Sequence, residues 1–283
     1  MKHQQIKNYA SFLLLAFSIV LCGCTQSGQG IIKRTITVTI EPLRYFTEAI
    51  VGDKFEVITM VPKGGNPETY EPTVQQMMAL GGSDLYIKVG SIGFEHTWMK
   101  KLQDNAPHTI IVDSSEGIVP QESSEGINDP HTWMSCQNAV IIARNIYRAL
   151  AQINKEDSLY FKANLEVLIT KIRDTDTAIR EKLTKEKSTS FLIYHPVLTY
   201  FAKEYGLKQI HIEDEGREPS ALQLAYTIGE AKSRRVKVLF QQKEFANSNS
   251  AIVAHGVGAQ VVNINPLSYH WPDQMIFIAK SLQ

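Results

Sequence analysis

The chain has 283 residues, 43% of them hydrophobic and 20% charged, an ordinary globular composition with enough length for one large domain or two lobes with separate cores. Lys plus Arg and Asp plus Glu are equal at 29 each. The chain as a whole therefore lacks the basic excess that a nucleic-acid partner demands, and no such partner is expected.

The amino terminus, MKHQQIKNYASFLLLAFSIVLCGC, places Lys2 and Lys7 before an apolar run from about Ala10 to Leu21. A basic start followed by a short apolar core reads as an export signal. The run falls short of the about 20 apolar residues of a stable membrane span. Its LCGC ending resembles a bacterial lipobox, which makes Cys24 the lipid-modified first residue after a leader of residues 1–24; cleavage elsewhere and an uncleaved anchor are the alternatives. TQSGQG then begins a flexible tether over 25–34. The expectation is an exported protein, held by lipid at Cys24 to a bacterial membrane and facing the periplasm or the exterior. Removing Cys22 with the leader and lipidating Cys24 leaves only Cys136, so no internal disulfide is expected.

Strand and helix signals alternate from Thr35. TITVTI (35–40), FEVITMV (55–61), DLYIKVG (84–90) and TIIVD (109–113) read as strands. Helical stretches lie between them, the first opened by Pro42, the others near 73–80 and 94–103. Residues 114–130 are polar, acidic and Gly-containing and read as a solvated loop. A helix is expected over 137–151. The next stretch, 154–187, has no Gly or Pro and repeats Leu165, Leu168, Ile172, Ile179 and Leu183 along one face of a long helix. A second α/β unit follows, with strands at 191–194 and 208–212 and helices at 196–206 and 219–235; VKVLFQ, AQVVNI (with a strand at 260–264) and the C-terminal PDQMIFIAKSLQ complete it. The predicted fold class is α/β: two lobes (35–153 and 188–283), each a mostly parallel sheet flanked by helices, joined by one linking helix over 154–187. No residue-level repeat relates the lobes.

Four residues stand at the end of a strand or in the loop after it, where parallel sheets place ligands. They are Glu68 in NPETYEP, His131 in NDPHTW, His195 in IYHPVLTYF and Asn265 in VNINPLS. Two come from each lobe, so all four can meet in a cleft. Two imidazoles and a carboxylate suit a borderline divalent cation such as zinc, with the Asn265 amide oxygen as a weak neutral donor. Spacing alone is poor evidence, because the four are scattered and a lone His before Pro is more often a loop or core residue. His270, Cys136, His96, His108, His211 and His255 rank lower, as packing, capping or surface groups. The acids of the 114–130 loop, Glu116, Glu122, Glu125 and Asp129, read as a solvated charge run.

Five segments, in order, carry a resemblance: VPKGGNPETYEPTVQQM, SDLYIKVGSIGFEHTWMKKL, NDPHTWMS, IYHPVLTYFAKEYGLKQI and EGREPSALQL. Together they resemble the substrate-binding lipoproteins of zinc and manganese ABC importers, from about Ile36 to Leu282. That family's fold is two α/β lobes on one rigid backbone helix. The resemblance implies that His131 and His195 are metal ligands. Glu68 stands where the family usually has a His, and Asn265 where it usually has an Asp. Glu71 matches a non-ligand acid of the motif and is expected to be structural or to support a ligand. The His-rich loop of some zinc-type members is missing from 114–130.

The implied function is capture of a divalent metal, zinc first and manganese or iron(II) as the alternative, by a monomeric protein that delivers it to a membrane ABC permease. His195 favours zinc, since manganese-type members tend to carry a carboxylate there; Glu68 favours a harder metal. Two other classes compete. A metal-dependent hydrolase would share the His–His–Glu set, but HExxH, GxSxG and a motif-placed general base are missing, so no enzyme activity is expected. A surface adhesin with a structural metal would unfold on chelation, whereas a carrier would stay folded when empty.

Overall fold

The computed structural model describes residues 33–122, 128–184, 189–213, 218–245 and 248–283. The leader, Cys24, most of the tether and Glu125 lie outside the described residues. Strands β1 (Thr35–Val38), β2 (Glu56–Thr59), β3 (Ser83–Lys88) and β4 (Ile110–Asp113) form a parallel sheet in the order β2-β1-β3-β4. Strands β5 (Ser190–Ile193), β6 (Lys208–His211), β7 (Val238–Gln242) and β8 (Gln260–Ile264) form a second, in the order β6-β5-β7-β8. Both lobes thus use one topology, although no repeat shows in their residues. Every pairing between these strands is parallel. Parallel neighbours need long crossovers, and helices supply most of them.

The helices in the first lobe are α1 (Glu41–Val51), α2 (Val74–Leu80), α3 (Gly93–Asn105) and α4 (Cys136–Ile153). The linking helix is α5 (Ser158–Leu183), and the second lobe carries α6 (Thr199–Glu204), α7 (Ala221–Ser233), α8 (Ser248–Val257) and α9 (Trp271–Ser281). Thr73 and Ser220 close reciprocal capping boxes with Gln76 and Gln223, which start α2 and α7 at matching places in the two lobes.

Helix α5 has 26 residues, about 39 Å at 1.5 Å per residue. Its expected seam is buried at Leu165, Leu168, Ile172 and Ile179, and Phe161, Ile169 and Thr175 join it. The helix is shorter than the 154–187 expected. Asn154 and Asp157 hydrogen-bond to each other in the turn that separates it from α4. Packed against α1 and α4 of the first lobe and α9 of the second, α5 ties the lobes into one unit. A continuous core runs from the first sheet along α5 to Phe191, Phe240 and Trp271 of the second lobe. A smaller core, with Leu192, Tyr194, Ile210 and Ile212, fills the space beneath α7 and α8. Among the described residues, no helix is long and apolar enough to cross a membrane.

Candidate metal centre

All the loops that matter here leave the carboxyl ends of strands. The β2–α2 loop carries Glu68, and it is pinned at several points. Gln76 Nε2 donates to the Met60 carbonyl at 2.7 Å, and Tyr70 Oη donates to Gln76 Oε1 at 2.8 Å. The Glu68 backbone N–H donates to Asn66 Oδ1 at 2.9 Å. Two links dock the loop on the start of α3: Phe94 N–H donates to the Pro67 carbonyl at 2.9 Å, and Gly93 N–H to Glu68 Oε2 at 3.0 Å. Only glycine fits at 93, because a Cβ there would lie 2.6 Å from Glu68 Oε2 and 2.7 Å from its carbonyl oxygen. Glu68 is therefore a held residue. One carboxylate oxygen caps a helix; the other, Oε1, is buried with no hydrogen-bond partner. A buried carboxylate oxygen left unpaired is costly, and a cation satisfies it.

His131 lies in the loop between β4 and α4. Asp129 Oδ1 accepts from both the backbone N–H of His131, at 2.7 Å, and its ring Nδ1, at 2.8 Å. Asp129 was expected to be a solvated loop acid; instead its side chain is 7% exposed. Burial raises its carboxyl, but the charge and hydrogen bond of His131 bring it below the usual carboxylate value. Burial likewise disfavours the imidazolium of His131. The Asp129 charge and hydrogen bond, with the charges of Glu68 and Glu213, outweigh that and hold His131 above the ordinary histidine value.

His195 follows β5 by two residues. Its Nδ1 lies 3.1 and 3.2 Å from the two carboxylate oxygens of Glu213, which follows β6 and is itself buried. Its ring stacks on Phe245 with centroids 4.5 Å apart. The His131 and His195 rings meet edge to face at 5.2 Å. In both histidines a carboxylate holds Nδ1, which leaves Nε2 as the available lone pair.

One ligand atom from each of Glu68, His131 and His195 can be chosen so that all three lie within 4.8 Å of one another. Two donors at zinc's 2.0–2.1 Å stand at most about 4.2 Å apart, so an ion draws these side chains in only slightly. The three line one cavity with Trp133, Val197, Gln242, Phe245, Pro266 and Leu267, a largely apolar wall that raises the strength of any ion contact inside it.

The fourth expected residue is elsewhere. Asn265 is exposed, its Oδ1 accepts from Leu267 N–H at 3.1 Å, and it lines a neighbouring cavity with Glu41 and Lys63. The lower-ranked residues lie outside the group of three. Glu71, His96, His108, His255 and His270 are exposed. Cys136 is buried, and burial pushes its thiol up to about 12, so it is an inert core residue. The carboxylates behind the imidazoles, Asp129 and Glu213, went unrecognised in the sequence. Asp-Pro-His is a short-range hint for the first; nothing local marks the second.

A model of the ZnuA family, described as zinc-uptake complex component A periplasmic, matches residues 36–279. The chain belongs to this family. Its members are solute-binding components of ABC transporters and not enzymes. Among curated relatives, the high-affinity zinc uptake system protein ZnuA of Bacillus subtilis (strain 168) is 29% identical over 256 residues, 83% of this chain and 79% of that protein. The zinc-binding lipoprotein AdcA of Streptococcus pneumoniae (strain R6) is 25% identical over 280 residues, 93% of this chain and 56% of that protein. The chain thus spans little more than half of AdcA. Among solved structures, a crystal structure of ZnuA superposes with a TM-score of 0.84 at 34% identity, covering 87% of this chain and 96% of that one. A manganese-bound periplasmic metal-binding protein from Candidatus Liberibacter asiaticus superposes at 0.79 with 22% identity, covering 88% of this chain and 98% of that one, and shares the fold.

If the two carboxylates aim the imidazoles, Asp129→Asn weakens zinc binding about 10–100-fold, the usual effect of losing such a partner. Competition against a chromogenic chelator measures it. Unchanged affinity would mean that Asp129 serves only its loop.

Proposed function

We propose that the protein captures a divalent transition metal outside the cytoplasmic membrane, zinc in the first place, and delivers it to an ABC permease. The observation that carries this is the convergence of Glu68, His131 and His195, with Glu68 Oε1 buried and unpaired beside two oriented imidazoles. Two nitrogens and a carboxylate oxygen suit zinc. Membership of the ZnuA family and the names of the zinc-binding relatives support the same choice. We assign the membrane attachment to lipid on Cys24, after a leader of residues 1–24, and expect a monomer working from a flexible tether. A manganese or iron(II) cargo is the second reading; the carboxylate at Glu68, where a His is usual, favours it.

Titration of the metal-stripped chain with zinc, manganese and iron(II) in a calorimeter, beside Glu68→Ala, tests the proposal. Tight binding of one zinc per chain, sharply weakened in the variant, is the expected result. No binding of any of the three ions overturns it.

Binding is also expected to depend on pH. In the metal-free protein His131 holds its proton more tightly than an ordinary histidine. The metal needs the neutral ring, so the bound state carries fewer protons than the free one. Affinity therefore falls as pH drops below the raised value of His131 and on through the ordinary histidine range, and levels off above that raised value. Zinc titrations across that range, in buffers of different ionisation enthalpy, read both the slope and the proton released. A flat profile would place His131 outside the metal's shell.

A further inference from the structure

Gln242 is the last residue of β7, the strand beside β5 in the centre of the second sheet. The parallel register pairs Ile193 with Phe240, so two residues further on Gln242 lies across from His195. Its side-chain Nε2 donates to the His195 carbonyl at 3.4 Å. In this orientation the amide's NH₂ group, its only donor, faces the carbonyl. The other end, Oε1, is buried and has no hydrogen-bond partner, and the whole residue is 3% exposed. Gln242 lines the same cavity as Glu68, His131 and His195. Two oxygens of that cavity are thus buried and unpaired, Glu68 Oε1 and Gln242 Oε1. A buried amide oxygen is not normally left unpaired, since it has given up water and received nothing in return. Asn265, by contrast, is exposed with its Oδ1 engaged by Leu267 N–H.

We propose that Gln242 supplies the fourth donor to the captured metal, through Oε1. The inference rests on the metal-capture reading above. The shell is then two imidazole nitrogens, one carboxylate oxygen and one amide oxygen. Only Glu68 brings a full negative charge into direct contact with the ion, and Asp129 and Glu213 balance the remaining charge from behind the imidazoles. An amide oxygen is a weaker donor than a carboxylate. This chain is therefore built to hold its ion less tightly than a site with two carboxylates in contact, which eases release.

The test uses the full chain purified in detergent, with Gln242→Leu, Gln242→Glu and Asn265→Ala. Zinc affinity is read by chelator competition, and geometry by the visible absorption of the cobalt(II)-loaded protein. Gln242→Leu is expected to weaken zinc by about 10-fold and to change the cobalt spectrum. Gln242→Glu keeps an oxygen in place of Oε1 but loses the donor to the His195 carbonyl, and is expected to bind at least as tightly as the native chain. Asn265→Ala is expected to leave both readouts unchanged. Equal weakening in the Leu and Glu variants would overturn the inference, because Gln242 would then act only by bracing His195. So would an unchanged cobalt spectrum in Gln242→Leu, or a loss in Asn265→Ala that matches it. If Gln242→Leu does not fold, the Glu variant and Asn265→Ala still decide. Failure of the native chain to bind zinc or cobalt would remove the capture reading itself, a result distinct from a native chain that binds and a Gln242→Leu that binds equally well.

Discussion

Replacing His195 with alanine is expected to lower zinc affinity by more than about 100-fold, beyond what loss of a supporting carboxylate alone costs. His195 is the second lobe's contribution to the group of three, and its position is over-determined. The end of β5 sets its backbone, Glu213 holds Nδ1, and Phe245 flanks the ring at 4.5 Å. Alanine removes the nitrogen and leaves His131 and Glu68 as the remaining pair from the first lobe. It also leaves Glu213 buried without its partner, so some loss of stability accompanies the loss of affinity. Two measurements separate the effects. Chelator competition gives the affinity, and thermal unfolding with and without zinc gives the linkage. In the native chain a hundredfold excess of zinc over Kd adds about 2.7 kcal/mol; in His195→Ala that increment falls below about 0.4 kcal/mol at the same zinc concentration. A variant that keeps its zinc-dependent stabilisation would exclude His195 as a ligand.

The largest stability effect is expected at Trp271. This residue is 1% exposed at the start of α9, and its ring packs edge to face on Phe46 of α1, with centroids 5.1 Å apart. Its Nε1 donates to the Trp133 carbonyl at 2.8 Å, and Trp133 Nε1 donates in turn to the Pro266 carbonyl at 2.9 Å. These bonds cross between the lobes, and Tyr269 Oη adds another by donating to Glu48 at 2.6 Å. Trp271→Ala empties a large core site and orphans a buried carbonyl, for a loss of about 3–5 kcal/mol. Urea unfolding of the metal-free chain measures it. A loss below about 1 kcal/mol would mean that the site collapses freely around the smaller residue. Because Trp133 follows His131 by two residues, the same variant is expected to loosen the metal loop and weaken zinc binding as well. Lobes stitched in this way, with α9 packed on α5, are expected to capture by small loop adjustments rather than wide closure.

Most strands were legible because parallel strands buried on both faces read as short apolar runs between turn residues. The long helix was legible because its seam repeats with helical spacing, as Leu165, Leu168 and Ile172 show. Helix α8 was not anticipated. It opens on Ser248, Asn249 and Ser250 and carries Gly256, which mimic a loop, and it is held by packing Val253 and Ala254 into the smaller core. The expected helix over 196–206 is reduced to Thr199–Glu204, since Pro196 and the turn from Val197 N–H to the His195 carbonyl occupy its start.

At the site, local pattern and motif were enough to show which residue types stand where strands end, and Glu68, His131 and His195 were each visible in this way. Their surroundings depend on the three-dimensional fold. Asp129 and Glu213 are held behind the imidazoles by through-space hydrogen bonds, and Glu213 follows β6, the strand paired with the one that His195 follows. Gln242 reaches the cavity because β7 runs parallel to β5 on its other side. Asn265 sits in a matching strand-end loop, yet its turn to Leu267 engages its oxygen. A residue's place at a strand end follows from short-range periodicity. Which neighbouring strand ends share a cavity follows from strand order and register, set by packing between segments far apart in the chain.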